Sequence, residues 1–105
     1  MDVGNFMRLA NRKEHPMNSG TFALGQVVIT RNALDVLHPE DVKAALARHA
    51  KGDWGDLSDE DRRENEVSLA QQLRLLSAYR DRSATKFWII TEADRSATTI
   101  LLPED

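Results

Sequence analysis

Hydrophobic and polar positions change rhythm along this chain, and each change marks an element. The β-branched run Val27-Val28-Ile29 follows Gly25 and predicts a short strand over 26–30. Thr30 can cap the turn that follows. Ala33, Leu34 and Leu37 then share one helical face, which predicts a short helix over 31–37. Pro39 stands where a first helical residue belongs, and Glu40 and Asp41 oppose the positive end of the helix dipole. Val42, Ala45, Leu46 and His49 recur at helical spacing, so a second helix is expected over 39–51, ended by Gly52. Ser58 followed by Asp61 is a variant of the capping box, which normally carries Glu or Gln, and it opens a third helix over 59–71. That helix is so polar that Val67 and Leu69 supply only a thin inward stripe, which predicts a surface position.

The rhythm then shortens. Runs 73–80, 86–91 and 98–102 are strand-length and apolar, separated by the turn-like stretches 81–85 and 93–97, the pattern of an antiparallel meander. In the middle run Phe87, Ile89 and Thr91 alternate with Trp88, Ile90 and Glu92, so both faces are substantially apolar and this strand is expected at the centre of the sheet. Residues 1–24 show neither period and read as a flexible N-terminal arm, in which Met17 before Asn18-Ser19-Gly20 fits an internal start. The expectation is an α+β fold with a short N-terminal strand, two to three helices, and a three-stranded antiparallel meander packed against them. The arm, 1–24, precedes a single domain, 25–105.

Composition narrows the class. A chain of 105 residues, 41% hydrophobic and 30% charged, suits one modest core in a folded globular protein. With no cysteine, disulfides, thiolate metal sites and cysteine nucleophiles are excluded, and the cytoplasm is favoured. No stretch approaches the roughly 20 apolar residues of a membrane span, and no signal-peptide apolar segment opens the chain, so no membrane partner is expected. A formal net charge of −3 argues against broad capture of phosphate backbones, leaving nucleic acid only a local patch.

Candidate chemistry is sparse. His15, His38 and His49 form no metal-binding spacing, so no metal is expected; His49 reads as a satisfied core or boundary residue and His38 as a helix-start residue. Gly52 and Gly55 lack the ending and preceding strand of a phosphate loop, and no cofactor is expected. Ser77, Ser83 and Ser96 have neither a nucleophile elbow nor an evident histidine partner, so no catalytic residue is assigned.

Two segments offer binding candidates. In Gly52-Asp53-Trp54-Gly55-Asp56, an indole flanked by Asp53 and Asp56 either binds a partner or folds back to plug the core. In the turn after the middle strand, Glu92, Asp94 and Arg95 either form a polar site or close a hairpin, with Asp94 on nearby backbone and Arg95 on a carboxylate. Between Asp53 and Glu66, seven acidic residues face only Arg62 and Arg63, either a solvated helix face or a surface for a basic, nucleic-acid-binding protein.

The strings Gly52-Asp53-Trp54-Gly55-Asp56-Leu57, Arg74-Leu75-Leu76-Ser77-Ala78-Tyr79, Trp88-Ile89-Ile90-Thr91-Glu92-Ala93-Asp94-Arg95-Ser96 and Thr98-Thr99-Ile100-Leu101-Leu102-Pro103-Glu104 resemble a family of small proteins encoded on plasmids and integrative elements. Its members are labelled plasmid-related, of unknown function, or restriction-system subunits. The resemblance spans about residues 25–105 and implies a genomic setting rather than a mechanism. This chain departs from the family's pattern at Gln71 and Gln72, where similar proteins often carry glycines before the first meander strand.

Three functions of different class fit. The leading one is a non-enzymatic accessory factor of a mobile element that binds a host or element-encoded protein, such as an inhibitor of restriction or CRISPR defence. The second is an RNA-cleaving toxin of the RelE-like order, in which Arg74, Arg80, Arg82, Lys86 and Arg95 would supply the cations. The third is a partner-dependent structural subunit, with a homodimer formed through a free strand edge.

Overall fold

The computed structural model describes residues 6–8 and 21–105. The fold is α+β. Five strands, β1 (Phe6–Arg8), β2 (Gln26–Thr30), β3 (Leu75–Arg80), β4 (Lys86–Thr91) and β5 (Ala97–Leu101), form one sheet in the order β1-β2-β5-β4-β3. Three helices, α1 (Arg31–Val36), α2 (Pro39–Ala50) and α3 (Asp59–Gln71), lie between β2 and β3 in the chain. The caps are those the sequence predicts: Thr30 accepts from the Ala33 N–H, Ser58 accepts from the Asp61 N–H, and Pro39 opens α2.

β3, β4 and β5 run antiparallel in sequence order, as expected of a meander. β4 is interior, but the centre belongs to β5, which pairs with β4 on one side and parallel to β2 on the other, Ile29 opposite Ile100. The physical reason is that β5 keeps a free edge after closing the meander, and β2 has the matching apolar face. A second correction concerns residues 1–24. Phe6–Arg8 adds an antiparallel strand to β2, and residues 21–24 pack onto the domain; the Met17 start and the rest of the expected arm lie outside the described residues.

On one face of the sheet Ile29, Ile100, Ile89, Phe87 and Tyr79 meet Ala33 from the first helix, Leu37 from its C-cap, and Val42 and Ala45 from the second. Burying each of the Val, Leu, Ile and Phe side chains among them contributes about 1.5–3 kcal/mol, and each alanine methyl less. α3 is arranged otherwise. Its buried residue is Asn65, while Val67, expected on the inward stripe, is 51% exposed. Asn65 turns inward because its amide caps the outer edge of β3, accepting from the Leu76 N–H and donating to the Leu76 carbonyl.

Candidate functional site

The loop after α2 is tied at both ends. Arg48 grips the Asp53 carboxylate through Nε at 2.8 Å and Nη2 at 3.2 Å, and the guanidinium, together with the Gly55 N–H, holds that carboxyl below its usual range although burial opposes the shift. Gly55 has φ +76 and pairs with Ala78, and a Cβ there would strike the Ala78 carbonyl oxygen. Trp54 and Asp56 exchange backbone hydrogen bonds with Ala78, so the loop extends the sheet beyond β3. The Trp54 indole is 2% exposed and donates to Glu66 at 2.9 Å. It is the plug of the core-directed reading, and it has no face free for a ligand. Asp53 and Asp56 remain at the surface, Asp56 lying 3.8 Å from Arg80.

The turn between β4 and β5 is a closed hairpin. Asp94 accepts from the Ser96 N–H, the local backbone bond expected of it. Arg95, expected to meet a carboxylate, instead donates to the carbonyls of Leu73 at 2.7 Å and Glu92 at 3.1 Å, from a left-handed conformation with φ +61. Glu92 is half-buried and holds the turn through its backbone, donating to Ala97 and accepting from Arg95. Among the described residues no hydrogen bond or ion pair joins its side chain to that of Asp94 or Arg95. The two segments are nevertheless joined through Phe22, whose ring stacks on Trp54 at 6.1 Å and carries the Arg95 guanidinium at 5.6 Å.

Beneath Phe22 lies a polar line absent from the sequence reading. His49, expected in the core or at its boundary, is fully buried and bonds Ser77 through Nδ1 at 2.5 Å and Thr91 through Nε2 at 2.8 Å. Ser77 therefore has the histidine partner that its sequence context does not reveal, and Ser83 meets His38 at 3.3 Å. The buried His49 pair lacks the features of a catalytic triad. Burial, with a smaller contribution from the Arg95 charge, pushes His49 down to about 3, and its far nitrogen meets a hydroxyl rather than a carboxylate. The spacing of His49 on the inner stripe of α2 was legible; its partners, 28 and 42 residues away, were not.

The acidic surface is what remains open. Asp59, Glu60 and Asp61 fill the first turn of α3, and Glu64 follows on its exposed side. Of the two nearby cations, Arg62 is turned back onto the Gly55 carbonyl at 2.6 Å and the Leu57 carbonyl at 3.2 Å, which anchors the helix start. The five cations needed for RNA cleavage fall into two groups. Arg74 and Arg95 flank the start of β3, while Arg80, Arg82 and Lys86 surround its far end, about 20 Å away along six residues of strand. Arg82 is further committed to Asp41 at 3.0 Å and Glu40 at 3.6 Å. Among the described residues no group of three or more side chains is placed to hold a metal ion, and no helix is long and apolar enough to cross a membrane.

No protein-family model, no curated protein and no solved structure matches the chain.

Proposed function

We propose that the chain is a non-enzymatic protein-binding accessory factor of a mobile genetic element, acting in the cytoplasm on a host or element-encoded protein that presents a basic face. The observation that carries this reading is the α3 surface, where Asp59, Glu60, Asp61 and Glu64 are all exposed and Arg62 is occupied by backbone carbonyls. Such a surface steers toward a positive patch and raises the rate of encounter. Nucleic-acid-handling defence proteins carry patches of that kind, which is the chemistry an inhibitor of restriction or CRISPR defence would use. The resemblance to plasmid- and element-encoded proteins supports the setting. The separation of the cations into two groups favours protein capture over RNA cleavage.

The test is affinity capture from nuclease-treated bacterial lysate with the wild-type chain beside a Glu60→Lys, Glu64→Lys variant verified as folded. A stoichiometric partner, weakened about tenfold or more by the double reversal and by raised salt, is the expected result. Capture indifferent to both charge and salt would remove the acidic face from the interface. Growth arrest on expression with cleaved RNA, and no protein captured, would favour the toxin reading.

A further inference from the structure

Residues 21–24 form a strap over the end of α2 and the β4–β5 turn. The Thr21 N–H donates to the Ala50 carbonyl at 2.6 Å. The Phe22 ring meets His49 edge-on at 5.2 Å, in addition to its contacts with Trp54 and Arg95. The Leu24 carbonyl accepts from Thr98 Oγ1 at 2.7 Å. Gly25, at φ +66, is where the strap leaves the sheet. A Cβ there would strike the Ser96 carbonyl, so the conformation at this bend belongs to glycine.

The bond to Leu24 fixes every proton behind it. A carbonyl oxygen only accepts, so Thr98 donates its one hydroxyl proton outward. The 2.8 Å contact between Thr98 and Thr91 must then be donated by Thr91. Thr91, its proton spent, accepts from His49 Nε2–H at 2.8 Å. A neutral imidazole protonated at Nε2 leaves Nδ1 bare, so Ser77 donates to it. The line runs one way, from Ser77 through His49, Thr91 and Thr98 to the strap. Without the Leu24 carbonyl its direction is no longer imposed, and the ring is free to take the opposite tautomer.

We propose that this line is a latch: the docking of residues 21–24 and the Nε2–H tautomer of His49 are one coupled two-state element. Opening about Gly25 uncovers the Trp54 indole and the Arg95 guanidinium without unfolding the domain. Ser77, Thr91 and Thr98 sit in strands of the sheet and His49 in α2, all buried, whereas Thr21 and Ala23 are exposed, Phe22 and Leu24 only half-buried, and all four lie outside any helix or strand. Local opening is the cheaper event. The latch is independent of the acidic face and stands whether or not that face binds a partner.

The test reads tautomer and strap separately. Nitrogen-15 labelled histidine reports the tautomer by long-range proton–nitrogen correlation, and amide exchange at Thr21 reports the strap against Ile89 in β4 as reference. Wild type is expected to show Nε2–H alone. Thr98→Val is expected to speed Thr21 exchange about fivefold to tenfold, the loss of one net hydrogen bond, to leave Ile89 unchanged and to admit the Nδ1–H form. Thr98→Ser should restore both. Phe22→Leu loosens the strap from outside, leaves the buried line intact, and should also mix the tautomers. An Nδ1–H ring in the wild type, or a strap loosened by Phe22→Leu with no change in tautomer, would overturn the latch.

Discussion

The residue that most changes the chemistry of this molecule is His49. Its apolar spacing on α2 is visible in the sequence, yet only the fold shows that both ring nitrogens are occupied and that burial, aided by Arg95, holds the ring neutral down to about pH 3. An unfolded histidine titrates near 6.5. Above that value neither state carries the proton and the residue leaves stability independent of pH. Below it the unfolded chain binds a proton that the folded one refuses, so stability falls as pH falls. One proton sets a slope of about 1.4 kcal/mol per pH unit between roughly pH 6 and 5, above the window in which the lowered Asp53 and Asp105 carboxyls lose their contribution. Urea unfolding of wild type and His49→Gln across that range checks it: the slope should flatten in the variant, and an equal slope in both would assign the titration elsewhere. Gln72 shows the same division between what a sequence displays and what a fold decides. It ends α3 in a left-handed conformation, φ +58, a position that favours glycine, so the residue was visible in the sequence and its backbone consequence was not.

At the scale of elements, local signals were sufficient wherever a cap or a period is self-contained. β2, α3 and β4 have the bounds their residues predict, and α1 and α2 differ by one residue at their ends. The failures are contacts between distant segments. β1 is a three-residue strand with no alternation to announce it, and it exists as a strand because β2 offers an edge. In α3 a hydrophobicity reading turns Val67 inward, but the helix is oriented by an amide that stands in for a neighbouring strand. Asn65 satisfies the N–H and carbonyl of Leu76, while the 54–56 backbone satisfies those of Ala78. The outer edge of β3 is therefore closed along this stretch, one of the ways a sheet avoids pairing with another chain. Asn65→Ala leaves both Leu76 groups without their partner and should cost about 1–3 kcal/mol, with loss of exchange protection at the Leu76 amide. Denaturant melts give the first quantity and hydrogen exchange the second; a protected Leu76 in the variant would mean that something other than Asn65 closes this edge.

For the whole molecule, the decisive feature is that the centre of the sheet is built from its latest strand. β5 joins β2, paired Gln26 to Ala97 in parallel register, to the β3–β4 hairpin, and no local pattern announces a pairing across so many residues. The chain terminus tightens the same joint. The Asp105 carboxylate accepts from Thr30 at 2.6 Å, from Asn32 at 2.9 Å and from the Leu102 N–H at 2.9 Å, drawing the end of the chain onto the start of α1. Without residues 97–105 the β3–β4 hairpin and the β1–β2 pair are separate ribbons, each with an unpaired edge, and the shared core loses Ile100 and Leu102. Two-stranded ribbons are marginal in water. Deletion of residues 97–105 should therefore abolish cooperative unfolding altogether rather than trim a dispensable tail. Circular dichroism through a urea titration distinguishes the cases: a broad, sloping loss of signal is expected, whereas a retained sigmoidal transition would show that the helices and the β3–β4 hairpin fold as a unit before the central strand is added.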